Sequence, residues 1–128
     1  MTAQAMNHFT VLAEDLRETC KFYRDFLGLT EGYRPDMGFP GAWLYAGDQA
    51  LLHIVVRSQL PQPRAGVIDH MAFSANGLAA IVRKLEDQGV RYQLGRQVET
   101  GVWQLFFHDP NGARVELDFV ATEEAPPR

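Results

Sequence analysis

The chain has 128 residues, enough for one ordinary core and too few for two independent domains. Its composition is globular, with 46% hydrophobic and 22% charged residues, and a net charge of −4 without a lysine or arginine cluster disfavours nucleic acid and anionic membranes in favour of a small-molecule partner. The single Cys20 excludes an internal disulfide, and no apolar run near the N-terminus has the length of a signal peptide or membrane span, so a reducing cytoplasm is the expected compartment.

Residues 7–12 have strand character, and Asp15-Leu16-Arg17-Glu18 then has the form of a capping box that starts a helix. Leu16, Cys20, Tyr23 and Leu27 recur at helical spacing with Phe26 beside them, and Gly28 supplies the left-handed residue that ends many helices. Strands are predicted over 29–33, 42–46 and 51–57, the last two joined by a Gly47-Asp48 turn. Pro61 and Pro63 mark residues 58–66 as a linker, because proline cannot donate within a sheet. The same order then returns: strand 69–74, helix 78–88, Gly89 as terminator, and strands over 91–94, 103–107 and 114–120, with a turn at Asp109-Pro110-Asn111-Gly112. The spacing predicts a βαβββ module over 6–57 and a second over 67–120, an α+β fold whose curved mixed sheets form a cup within one domain. Residues 121–128, acidic and proline-containing, are expected to be a disordered tail.

Four residues of ligand type fit this repeat. His8 and His53 stand 45 residues apart, His70 and Glu116 46, and the two pairs are offset by 62 and 63. Side chains alternate across a strand, and the neighbours of all four are apolar: Phe9, Leu52 and Ile54, Met71, Val115 and Leu117. Those neighbours should cover the helices, which puts His8, His53, His70 and Glu116 on the opposite, more polar face as candidate metal ligands. Three imidazoles and a carboxylate suit a divalent ion such as Zn, Ni, Mn, Co or Fe. His108 has no counterpart in the other module and is assigned a structural role at a strand end.

These residues resemble the vicinal oxygen chelate superfamily, which includes glyoxalases, fosfomycin resistance enzymes, methylmalonyl-CoA epimerase, extradiol dioxygenases and bleomycin-binding proteins. The likeness lies in Asn7-His8-Phe9-Thr10-Val11, in Phe22-Tyr23-Arg24-Asp25-Phe26-Leu27-Gly28-Leu29, in Asp69-His70, and in the stretch from Asp109-Pro110-Asn111-Gly112 to Glu116. The resemblance implies that His8, His70 and Glu116 bind metal. At the fourth position glyoxalases carry a glutamate and the epimerase a glutamine, whereas this chain has His53. Fosfomycin enzymes match at His8, Thr10, His70 and Glu116, but their lysine- and serine-bearing loop has no good match in residues 91–100.

For function the resemblance implies a metal-dependent lyase or isomerase of glyoxalase type. Glu116 would be both ligand and base, His53 its partner on the other side, and the reaction a proton transfer through an enolate. One alternative is an Fe(II)-dependent extradiol-type dioxygenase using His8, His70 and Glu116, and another a non-catalytic small-molecule binding or resistance protein of bleomycin-binding type. A homodimer, with the metal site within a chain or shared between chains, is the expected assembly. Arg57 and Arg114 are candidates to meet a substrate carboxylate, and Trp43, Tyr45 and Trp103 to wall a pocket, with sheet packing the simpler role for the aromatic residues.

Overall fold

The computed structural model describes residues 2–127, which divide into two compact units at Gln62 and Pro63. Unit 1 runs β1 (Phe9–Ala13), α1 (Leu16–Leu27), β2 (Thr30–Gly32), β3 (Gly41–Ala46) and β4 (Gln49–Val56). Unit 2 repeats that order with β5 (Met71–Ser74), α2 (Leu78–Asp87), β6 (Tyr92–Arg96), β7 (Trp103–His108) and β8 (Arg114–Phe119). Each unit has one four-stranded mixed sheet, β1-β4-β3-β2 in the first and β5-β8-β7-β6 in the second. The outer strand that opens each unit pairs in parallel with the strand that closes it, and the other pairings are antiparallel. Phe9 pairs with Leu52 and Met71 with Val115, so the ladders reproduce the 62- and 63-residue offsets of the sequence.

Local signals set the first helix. Asp15 caps α1 by accepting from the Glu18 N–H at 3.0 Å, and Gly28 ends it at φ 69°. The buried face is Thr19, Phe22, Tyr23 and Phe26. It is rotated from the predicted stripe, and Leu16, Cys20 and Leu27 are only half-buried. The sequence offers two overlapping apolar stripes, and the bulkier aromatic one is chosen because Phe22 and Phe26 bury more area.

The second helix starts differently. Gly77 precedes α2 at φ 85° and offers no side chain, so the cap comes from Glu123, whose carboxylate accepts from Leu78 N at 2.8 Å and Gly77 N at 3.1 Å. The Glu123 carbonyl also accepts from Trp103 Nε1 at 2.7 Å, and the Ala121 carbonyl from Arg96 Nη2 at 2.6 Å. Residues 121 and 123 are thereby tied to β6, β7 and α2: a carboxylate at a helix N-terminus meets unpaired N–H groups and the positive end of the helix dipole. Glu123→Ala should cost about 1 kcal/mol, seen as a lower urea midpoint.

Both sheets have one sealed face. Leu52 and Ile54 on β4, and Val115 and Leu117 on β8, are at most 1% exposed, as the alternation required. No helix among the described residues is long and apolar enough to cross a membrane.

Candidate metal centre in two half-sites

His8 and His70 both sit one residue ahead of their strands, β1 and β5, while His53 and Glu116 lie within β4 and β8. The side chain preceding each of the two leading histidines holds its Nδ1: Asn7 Oδ1 lies 2.7 Å from His8 Nδ1, and Asp69 Oδ2 lies 2.7 Å from His70 Nδ1. An acceptor at Nδ1 fixes the tautomer and leaves the Nε2 lone pair for a metal. Asn7 and Asp69 are thus part of the half-sites, although only their repeated place before a histidine marks them in the sequence.

In unit 2, His70 Nε2 is 2.8 Å from Glu116 Oε1. Two donors bound at about 2.1 Å and at the right angles of octahedral coordination are about 3.0 Å apart, so a small outward movement of this pair would admit a divalent ion. Glu116 is buried at 5% exposure, and its Oε2 accepts from Gln104 Nε2 at 3.3 Å. The outer side of His70 is braced as well. Arg114 Nη1 donates to Asp69 Oδ2 at 2.8 Å, its guanidinium lies 4.3 Å from the Phe106 ring centroid, and Phe106 meets His70 edge-on at 5.6 Å. The hydrogen bonds from His70 and then Arg114 hold the Asp69 carboxyl below its ordinary range.

The turn that aims Glu116 explains the Asp-Pro-Asn-Gly motif. Asp109, 5% exposed, accepts through Oδ1 from Asn111 N and Ala113 N, each at 2.8 Å, and Gly112 turns the chain at φ 97°. This closes the β7–β8 hairpin with His108 opposite Arg114 and Phe106 opposite Glu116.

Asp118 shares the Glu116 face, two residues along β8. Its carboxyl is pushed up to about 6 by burial, then by a hydrogen bond to Glu116 and that residue's negative charge, with His70 pulling the other way. Its Oδ1 is sealed from water without a hydrogen-bond partner. A raised carboxyl stabilises the fold while neutral: the contribution is full below about pH 4 and is lost as pH rises through about 6. Asp118→Asn should therefore gain stability over the parent at pH 7.5, on the order of 1 kcal/mol after solvent screening, and gain nothing at pH 4 in paired urea melts.

Unit 1 holds its two histidines otherwise. The His53 ring is stacked between His8, at 3.8 Å, and Trp43, at 4.0 Å, with 11° between planes on each side. Its Nε2 donates to the Ala50 carbonyl at 3.1 Å, which leaves Nδ1 as its available lone pair. Burial and then the neighbouring His8 lower its pKa, the Ala50 bond opposes them, and the Arg34 charge lowers it further, so the ring is neutral at pH 7. Stacked rings send their lone pairs side by side, and one ring must turn before both bind one ion. Among the described residues no three His, Cys, Asp or Glu side chains are gathered into a metal cluster; the four candidates stand as two pairs.

The other candidates have plainer placements. Arg57 bonds the carbonyl of its neighbour Val56, Tyr45 donates to the Tyr33 carbonyl, and Trp103 lies under Arg96 with its Nε1 on Glu123. His108 is exposed at the end of β7. Cys20 is pushed up to about 11 by burial and by Glu31, which makes it a neutral thiol and no nucleophile.

A twice-repeated βαβββ unit presenting histidine and carboxylate at equivalent register positions defines a class, the vicinal oxygen chelate proteins. The model of the Glyoxalase/Bleomycin resistance protein/Dioxygenase superfamily matches residues 5–117, and the chain belongs to that superfamily. It is 31% identical to "Glyoxylase I 4" of Arabidopsis thaliana, over 88% of this chain and 69% of that protein. It is 30% identical to "Glutathione transferase FosA" of Serratia marcescens, over 89% and 79%. In fold it is similar to a glyoxalase family protein from Bacillus anthracis, with a TM-score of 0.75, 23% identity, and coverage of 94% of this chain and 98% of that one.

Proposed function

We propose that the chain is a metal-dependent enzyme of glyoxalase type, a lyase or isomerase that moves a proton on a small substrate presenting two oxygens. The observation that carries this reading is the His70–Glu116 pair, 2.8 Å apart and held from behind by Asp69 and Gln104. His70 and Glu116 would be the metal donors of unit 2, and His8 through Nε2 and His53 through Nδ1 those of unit 1. A divalent ion so bound supplies Lewis-acid polarisation of the substrate oxygens.

The chain's own groups supply the proton path. Glu116 would be the base: the carboxylate oxygen not engaged with the ion takes the substrate proton and returns it to the neighbouring carbon or oxygen, while Gln104 steadies the carboxylate. Asp118, hydrogen-bonded to Glu116 and titrating near 6, lets the two carboxyls share one proton between them. Likeness to a glyoxylase supports the reading. We propose a homodimer as the assembly, tested by metal retention on dilution.

The test is metal analysis of the purified protein, then turnover with a hemithioacetal, an acyl-CoA thioester and a catechol. Glu116→Gln should lose at least a hundredfold in kcat while keeping its circular dichroism, and full activity in that variant would sink the proposal. A second reading, an Fe(II) dioxygenase using His8, His70 and Glu116, is favoured by one observation: His53 is engaged on both faces and at Nε2. It requires oxygen uptake with a catechol after anaerobic Fe(II) loading, undiminished in His53→Ala. Ligand affinity with no turnover under any metal would point to a binding protein.

A further inference from the structure

We propose that unit 2 carries a subsite for a substrate carboxylate, formed by Arg91, His108 and Arg114 at one end of the sheet face that bears Glu116. The inference rests on the substrate-binding role proposed above for that face and names the class of substrate it takes: an anion with an apolar body.

The strand registers lay this face out in rows. His108 pairs with Arg114 across β7 and β8, and Tyr92 pairs with Phe107, so Arg91 stands beside His108 on the β6 side. The first row is thus Arg91, His108 and Arg114, three basic side chains abreast over about 10 Å, given about 4.8 Å between strands. The second row is Gln93, Phe106 and Glu116; the third is Gly95, Gln104 and Asp118. The face therefore changes from basic to acidic along the strands, and the Phe106 ring stands beside Glu116 in the second row.

Two guanidinium charges flanking an imidazole repel one another, and this chain has a net charge of −4. Only Arg114 has a carboxylate partner, Asp69, and it is kept flat by Phe106. Among the described residues Arg91 and His108 make no ion pair. A cavity of about 840 Å³ opens at this end of the sheet, lined by the first row with Gln93 and Phe106, and by Val90, Tyr92 and Phe107 of the opposite face, with no acidic residue in its wall. That volume lies in the range of small-molecule sites, and a guanidinium fork beside an aromatic ring suits a carboxylate joined to a planar or acyl body.

The rows also set a length. Successive rows on one face are two residues apart, about 7 Å along the strand. A substrate with its carboxylate on the first row reaches the row of Phe106 and Glu116 with an atom about five bonds away, passing beside the Phe106 ring that Arg114 covers. A substrate of this shape is anchored at one end and reacts at the other.

The experiment compares 4-phenylbutyrate with 4-phenylbutyramide, a charged and a neutral ligand of one shape, by titration monitored in NMR at low salt. Binding is measured with the protein as purified and after chelation, so the outcome does not depend on turnover. The acid should bind about tenfold more tightly than the amide in both states, and the double variant Arg91→Gln/His108→Gln should lose the difference while keeping its affinity for the amide. Equal affinities, no binding of either ligand, or a preference for the acid that survives the double substitution would overturn the proposal. A preference abolished by chelation would also overturn it, since the carboxylate would then have been held by metal. Loss of turnover in Glu116→Gln with the acid preference intact upholds the subsite separately from the catalytic reading.

Discussion

Gly41→Ala should cost about 3 kcal/mol and lower the urea midpoint by about 2 M, the largest effect expected of any glycine-to-alanine change among the described residues. A Cβ at residue 41 would stand 2.3 Å from the Ile54 carbonyl oxygen and 2.9 Å from Arg34 Nη2. The Ile54 carbonyl does not give way cheaply, since it is backbone in the centre of β4 in a fully buried residue, whereas the Arg34 guanidinium, bonded to the exposed Phe39 carbonyl at 3.0 Å, can swing aside. Gly28→Ala makes the useful contrast. Nothing lies within 4 Å of its Cβ, but its φ of 69° is left-handed, so the cost should be only about 1 kcal/mol and purely conformational. Urea melts of the two variants separate collision from backbone strain.

Asp109→Ala should be of comparable size, about 3 kcal/mol, because it strands two part-buried donors at once. Asn111 N and Ala113 N each give a 2.8 Å bond to the one Oδ1 of Asp109, which is itself 5% exposed. Asp109→Asn keeps an acceptor at the same place and should recover most of the loss, leaving a deficit of about 1 kcal/mol for the missing charge. The amide signals of β7 and β8 report whether the hairpin that aims Glu116 keeps its register; in the alanine variant they should shift from His108 through Glu116.

The sequence reading succeeded where one residue's role follows from a short period. The apolar partners of β4 and β8 announce the sealed faces, and the paired offsets of His8, His53, His70 and Glu116 announce the two ladders, because strand alternation leaves no other register. It failed where contacts join distant residues. The capping of Gly77 and Leu78 by Glu123 spans 46 and 45 positions, and no periodicity encodes it. The burial of Thr19 and Phe22 in place of Leu16 and Cys20 was decided by packing against the sheet, which the helix pattern alone does not contain. At the half-sites, residue type and strand were legible, but the ring nitrogen offered was not. That choice depends on Asn7, Asp69 and Ala50, through hydrogen bonds that ligand spacing does not reveal. The stacking of His53 between His8 and Trp43 is likewise a matter of rotamers.

The matched ladders bear on how such a chain changes over generations. His53 lies opposite Thr10 and Trp43, and Glu116 opposite Ala72 and Phe106, at corresponding rungs of two ladders built alike. An ancestral segment copied in tandem would begin with the same side chain at both rungs. From then on each half could drift in charge and donor type by substitution, and the one residue by which the offsets of 62 and 63 differ falls between the paired rungs, where it leaves the ladders intact. His53 and Glu116, and likewise Asn7 and Asp69, are the places where the two copies differ in donor while their pairing is the same.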